Sequence, residues 1–225
     1  PEKAEWFDRQ RIKRRYSDEV LSKLEALEGQ FDVEQYGALS CSPGRYPLYL
    51  VKSRHRNAEK PDVLITGGVH GYETSGVQGA IRFLETRAQN YAGQFNIFVA
   101  PCLSPWGYET INRWNPAALD PNRSFHTNSP SEEAAALIHC LDANGIDPIV
   151  HIDLHETTDT DNLEFRPALA ARDGVKHENW HIPDGFYTVG DTEKPAAGFQ
   201  KAIISSVEKV THIAPPDPDG NIIGE

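Results

Sequence analysis

The sequence predicts an α/β protein with a mixed sheet flanked by helices, and three patterns carry that prediction. Short apolar runs alternate along the chain with segments whose apolar residues repeat at helical spacing. Two of the runs, FDVEQYGAL and RYPLYLVKS, are joined by the turn-forming SCSPG at 40–44, which makes a hairpin. Two others, VLITGG and FNIFVAPC, are separated by a helical segment, the arrangement in which parallel strands pair through a crossover.

Taken in order, Ser17 is placed to cap a helix whose stripe is Val20, Leu21, Leu24 and Leu27, and Gly29 ends it. The basic cluster Arg11, Lys13, Arg14 and Arg15 falls on an expected N-terminal helix, reads as a solvated face and is assigned no function. After the hairpin and VLITGG, a helix is expected from about Ser75 to Arg87. Residues 103–128 read as a long polar loop. In SPSE, Ser129 is the expected N-cap, Pro130 the first helical residue and Glu132 the partner in a capping box, with the helix running to Asn144-Gly145. IVHIDLH then returns to the sheet, and a last helix is expected near Pro195 to Val210, with Phe199, Ile203 and Val207 on its apolar side. The final NIIGE reads as a strand just begun after the turn PDPDG, so the sequence is expected to continue. The absence of methionine adds the expectation that some residues are omitted.

With 225 residues, 39% of them hydrophobic, the chain can bury a large core, and residues 1–225 are expected to form a single catalytic domain incomplete at its C-terminus. A net charge of -11 argues against nucleic-acid or anionic-membrane partners, which need clustered positive charge. The three cysteines, Cys41, Cys102 and Cys140, are far apart and odd in number, which indicates neither a disulfide framework nor a thiolate metal cage. No apolar run approaches the roughly 18 residues of a membrane span. A reducing compartment, the cytoplasm, is the expectation.

Chemistry concentrates in three segments. VHGYETSG, residues 69–76, puts His70 and Glu73 where a strand gives way to a helix, the end of an open α/β sheet at which ligands bind. In HIDLHETT, residues 151–158, alternation puts His151, Asp153 and His155 on one side of a strand, and His155 alone reaches its end. If the two strands run parallel, His70, Glu73 and His155 emerge at one sheet edge. Two imidazoles and a carboxylate are the ligand set of many catalytic zinc sites, which leave a fourth position for water and lower its pKa toward about 7. Of the nine histidines only His70 begins an HxxE pattern, a pattern common enough by chance that its weight comes from context. That context is INRWNPAALDPNRSF, residues 111–125, whose Arg113, Asn122 and Arg123 suit a carboxylate or an oxyanion, or else pair with the chain's excess acids. His151 reads as an ordinary strand residue, and His126, His139, His177, His181 and His212 have no partner at metal spacing.

The ordered set HGYE, then NR followed by DPNRSF, then a strand ending in DLHETT resembles the zinc metallocarboxypeptidase superfamily, whose signature is HxxE, an Asn-Arg pair and a distant third histidine. GALSCSPGRYPLYLVK is similar to that family's first hairpin, so the resemblance covers roughly residues 30–156. It implies that His70, Glu73 and His155 bind one Zn2+ ion, that Asn122 and Arg123 anchor a substrate's terminal carboxylate, and that Arg113 is the catalytic arginine that polarises the scissile carbonyl. The implied fold is a mixed, mostly parallel twisted sheet of about eight strands flanked by helices.

Two features depart from that pattern. The superfamily's general base is a glutamate well after the third histidine, and the choices here are Glu225 at the end of the sequence or the poorly placed Glu156, Glu164, Glu178 and Glu193. Glu156 should point away from His155 and take a structural role. The motif DLHETT, moreover, looks more like the aspartoacylase and succinylglutamate desuccinylase branch, while the hairpin looks like the peptidases; Asp153 reads either as a residue that orients a ligand from behind or as a strand-end hydrogen-bonding residue. The expected function is zinc-dependent cleavage of a C-terminal peptide bond, with a small peptide or N-acyl amino acid bearing a free carboxylate as substrate. The alternatives are an N-acyl amino acid deacylase or, without the late glutamate, a non-catalytic metal-binding module.

Overall fold

The computed structural model describes residues 2–176, 181–218, 220 and 222. The chain divides into two compact units, Pro1–Glu156 and Thr157–Glu225.

The first unit opens with α1 (Glu2–Arg9), whose Trp6 and Phe7 rings pack on Trp106 at centroid distances of 5.6 and 5.4 Å. The basic cluster follows this helix instead of lying on it. Arg11, Lys13 and Arg15 are exposed as expected, but Arg14 turns inward and is half-buried, because its guanidinium stacks on the ring of Tyr108. A π-helical turn at Ser17–Leu21 leads into α2 (Ser22–Glu25), and Val20, Leu24 and Leu27 are buried at the spacing that the sequence shows. Ser17 does not cap: its hydroxyl donates to the Asp18 carboxylate, because the preceding Tyr16 is already helical.

The hairpin forms as expected from β1 (Asp32–Ala38) and β2 (Pro47–Lys52), paired antiparallel with a register shift between Gln35 and Gly37. Then come β3 (Asp62–Gly67), α3 (Thr74–Thr86) and β4 (Asn96–Ala100), with β3 and β4 parallel. The segment 103–128 is not all loop. It contains α4 (Pro105–Thr110), every residue of which is buried, and a 3-10 turn at Pro121–Arg123. A six-residue helix is too short to show a period, and Pro105 just after Ser104 is its one sequence signal.

The next helix, α5 (Glu132–Ala143), is capped by Ser131, whose hydroxyl accepts from the Ala134 amide at 3.5 Å, and not by Ser129. Ser131 keeps extended backbone angles, so helix geometry begins one residue beyond it. Glu132 turns to accept from the Ser40 amide at 2.7 Å, leaving the capping box unmade. Gly145 ends the helix with a φ of 54°, and β5 (Pro148–Leu154) follows, parallel to β3.

The sheet has the order β1-β2-β4-β3-β5, five strands in place of about eight. It is mixed, since β1–β2 and β2–β4 are antiparallel and β4–β3 and β3–β5 parallel, not mostly parallel. The larger number came from the resemblance, whereas the apolar runs of this chain supply five strands and, among the described residues, none after Leu154. The central strands are buried on both faces. Ile65, Ile97 and Val99 pack with Val77, Ile81 and Leu84 of α3, while Leu64 and Phe98 pack with Leu137 and Cys140 of α5.

In the second unit, a π-helical turn at Asp161–Phe165 continues into α6 (Arg166–Asp173), and α7 (Ala197–Val207) falls where the last helix is expected. Phe186 and Ile213 form an isolated parallel bridge. Most of NIIGE, with Glu225, and His177 and Glu178 lie outside the described residues.

Candidate metal centre

Strands β3 and β5 are direct neighbours, with Thr66 opposite Asp153 and Gly67 opposite Leu154, so both end at the same edge of the sheet. Beyond β3 the chain turns through Gly68, at a φ of 61°, where a Cβ would stand 2.4 Å from the side chain of Val77. That turn carries His70 and Glu73 into place ahead of α3. His155 follows β5 directly, and the parallel register makes the three converge.

Potential ligand atoms of His70, Glu73 and His155 all lie within 4.8 Å of one another. His70 Nδ1 is 2.8 Å from Glu73 Oε1, and His155 Nδ1 is 3.2 Å from the same oxygen. Each imidazole donates through its far nitrogen to a second carboxylate: His70 Nε2 to Asp120 at 2.9 Å and His155 Nε2 to Asp153 at 2.6 Å. A carboxylate only accepts, so both Nε2 atoms carry protons, and both Nδ1 atoms face Glu73, where a bound cation would take the place of any Nδ1 proton. Histidine ligands of metals are oriented in this way.

Two observations show that the group fits a cation. Glu73 is 1% exposed, and its Oε2 accepts no hydrogen bond among the described residues, although His155 Nδ1 stands 3.0 Å away outside hydrogen-bond geometry. A buried carboxylate oxygen without a donor is costly unless a cation completes it. The electrostatics agree. Burial opposes ionisation of Glu73, Asp120 and Asp153, yet hydrogen bonds from the two imidazoles prevail and lower all three, Asp120 to about 2 with help from Arg113. Burial likewise works against a charged His155, but Asp153 and Glu73 push its pKa up to about 10. The site draws positive charge, as a metal centre must.

The arginine loop reaches this centre through Asp120, the N-cap of the Pro121–Arg123 turn. Asp120 accepts from His70, from the backbone N–H of Asn122 at 3.0 Å and from Arg113 at 3.3 Å. Arg113 is buried and also donates to the Tyr72 hydroxyl at 3.2 Å, and the Tyr72 ring stacks on His70 at 6.0 Å. Asn122 is half-buried and Arg123 exposed. Asp120 is the residue that sequence reasoning missed, although it stands two before Asn122 in DPNR. Thr66 is another: its hydroxyl donates to Asp153 at 2.5 Å and lies 2.8 Å from His151 Nε2. His151 is therefore tied into the support of the site through Thr66. Glu156 takes a structural place, its carboxylate accepting from the Ser75 amide in the first turn of α3 at 2.6 Å. Glu164 and Glu193 belong to the second unit.

The mixed sheet with the His–Glu–His group at its edge is the architecture of a metallocarboxypeptidase-like fold. Within it, the chain belongs to the succinylglutamate desuccinylase/aspartoacylase catalytic domain family, which matches residues 59–202, more than half of the sequence. No curated protein matches the sequence. Solved structures share the fold. A protein of Shewanella amazonensis SB2B assigned as a metallopeptidase has a TM-score of 0.64 and 21% identity over 92% of this chain and 70% of its own. A metallo-carboxypeptidase of Burkholderia cenocepacia has a TM-score of 0.50 and 22% identity, covering 60% of this chain and 39% of its own. A metallo-carboxypeptidase of Pseudomonas aeruginosa, in complex with (2-guanidinoethylmercapto)succinic acid, has a TM-score of 0.50 and 21% identity, covering 74% and 52%. The chain thus spans less than two thirds of the latter two proteins. Among the described residues, no helix is long and apolar enough to cross a membrane.

Proposed function

We propose that the chain is a zinc-dependent amidohydrolase whose substrate is a small N-acyl amino acid carrying a free carboxylate. The observation that carries this reading is the pairing of a buried Glu73 Oε2 that accepts no hydrogen bond among the described residues with two imidazoles whose outer nitrogens are already held by carboxylates. When bound by His70, Glu73 and His155, one zinc ion supplies a Lewis acid for the scissile carbonyl and for water. The family match at residues 59–202 favours an N-acyl amino acid. Cleavage of a C-terminal peptide bond is the second reading, favoured by the β1–β2 hairpin, whose sequence resembles the first hairpin of the peptidases.

Within this reading the chain's own groups divide the work. Arg113, fixed by Asp120 and Tyr72, holds the carbonyl oxygen as it gains negative charge. Arg123 and the side-chain amide of Asn122 bind the free carboxylate, Arg123 through the two-point geometry that guanidinium and carboxylate share. Asp120 and Asp153 keep the imidazoles turned toward the ion and hold their Nε2 protons. Both units, residues 1–225, belong to one catalytic domain in this proposal, and the cytoplasm is the proposed location.

The test is a screen of N-acyl amino acids and C-terminally free peptides with and without a zinc chelator. Chelator-sensitive release of an acyl group from the first class supports the deacylase, and release of a terminal residue from the second supports the peptidase. Zinc binding without turnover of either leaves a non-catalytic metal-binding module and refutes the enzyme.

A further inference from the structure

Arg14 touches none of the three candidate ligands, yet it holds the backbone between two of them. Its Nη2 donates to the Gly71 carbonyl at 2.8 Å, its Nη1 donates to the Thr74 hydroxyl, and its Nε donates to the Tyr108 carbonyl at 2.6 Å. The guanidinium carbon lies 3.5 Å from the centre of the Tyr108 ring. Gly71 sits between His70 and Glu73, and Thr74 follows Glu73, so two of the three hydrogen bonds end on the ligand loop. The third ends on α4, against which that loop lies backbone to backbone: a Cβ on Gly71 would stand 2.0 Å from the carbonyl carbon of Gly107. Three directed donors in one plane, stacked on a ring, are a property of guanidinium that an ammonium lacks.

The platform under Arg14 is itself braced. The Tyr108 hydroxyl donates to Glu19 at 2.7 Å and accepts from Gln78 at 3.0 Å. The arm is tied to α4 independently of the Arg14 side chain, since the Lys13 amide donates to the Glu109 carbonyl at 2.8 Å and the Tyr16 amide to the Glu109 carboxylate at 2.9 Å. Arg45 donates to that carboxylate from the hairpin at 2.6 Å. Arg14 is thus presented to the ligand loop from a fixed support.

We infer that Arg14 is a positioning residue of the metal centre, stapling Gly71 and Thr74 to α4 and so setting the placement of His70 relative to Glu73. The inference rests on the reading of His70, Glu73 and His155 as metal ligands. Groups that orient ligands from behind typically contribute about 10- to 100-fold to metal affinity. Arg14 acts on ligand geometry and not on substrate, so any catalytic loss falls on kcat with KM kept.

The experiment is zinc affinity, by competition with a chromophoric chelator, for the full chain and for Arg14→Ala, Arg14→Lys and Arg45→Ala, with urea unfolding of each. Arg45→Ala is the control, because it removes a partner of Glu109 without touching the ligand loop. Arg14→Ala is expected to bind zinc about 10- to 100-fold more weakly, and Arg14→Lys to be weakened as well, because one ammonium does not span both carbonyls. Arg45→Ala should keep the affinity of the unsubstituted chain whatever its stability. Unchanged affinity in Arg14→Ala, or an equal loss in Arg45→Ala, overturns the inference, and if Arg14→Ala does not fold, Arg14→Lys decides it. Absence of zinc binding by the unsubstituted chain would overturn the ligand reading itself, an outcome distinct from a chain that binds and an Arg14 variant that binds equally well.

Discussion

Asp120 Oδ1 lies 2.9 Å from Nε2 of His70, on the opposite side of the imidazole from Glu73. One carboxylate fixes the ring from behind while the other faces its Nδ1. The other oxygen of Asp120, Oδ2, accepts from Arg113, so a candidate ligand and a candidate catalytic arginine depend on one side chain. Asp120→Asn should therefore weaken zinc binding by about 10- to 100-fold, with the fold kept. Chelator competition measures this, and unaltered affinity would remove Asp120 from the centre.

His155 is supported in two steps, by Asp153 and then by Thr66 behind it. Asp153→Asn should lower zinc affinity by about 10-fold or more, and Thr66→Val, which leaves Asp153 charged, by less. If Thr66→Val costs as much as Asp153→Asn, the graded order is wrong.

Arg123 and Arg113 should separate kinetically. Arg123 is exposed at the end of the Pro121–Arg123 turn, so Arg123→Ala should raise KM for carboxylate-bearing substrates and spare amides that lack the carboxylate. Arg113→Ala should lower kcat by about 100-fold or more, as loss of an oxyanion donor does. Zinc content must be measured alongside, because Arg113 also holds Asp120.

Glu133 sets a pH dependence of stability away from the metal. Burial raises its pKa, against hydrogen bonds from Ser131 and Asn115 that lower it. A carboxyl that binds its proton more tightly when folded stabilises the fold at low pH, and that contribution is lost as pH rises above the unfolded value of about 4.3. As pH rises above about 4.3 the chain should lose stability relative to Glu133→Gln, measured by urea unfolding. A difference that stays constant with pH would show that the carboxyl titrates normally.

Gly71 leaves no room for a side chain, with Gly107 and Tyr108 backbone atoms 2.0 and 2.1 Å from any Cβ. Gly71→Ala should cost about 3 kcal/mol of stability and disturb zinc binding together. Wild-type stability would mean that the loop does not lie on α4.

The elements that the sequence makes legible are those whose apolar spacing carries its own signal. The β1–β2 hairpin, the β3–α3–β4 unit, β5 and α7 fall where that spacing puts them. The convergence of His70, Glu73 and His155 followed from one inference, that two apolar strands end at the same edge, and the β3–β5 register provides it. What was illegible depends on contacts between residues distant in sequence. Arg14 looks like one more surface cation until the ring of Tyr108 is placed beneath it, 94 residues away. Asp120 and Thr66 matter only because the fold sets them behind ligands. The short α4 has no period to display, and the number of strands expected from the resemblance exceeded what this chain's own apolar runs supply.

The account turns on one ion held by three side chains. Zinc per chain, measured by atomic emission after stripping with chelator, reloading and desalting, tests it most directly on the unsubstituted protein and on Glu73→Gln and His155→Ala. One equivalent in the first and none in either variant is the predicted result. No retained zinc in the unsubstituted chain, or a full equivalent in His155→Ala, would contradict it.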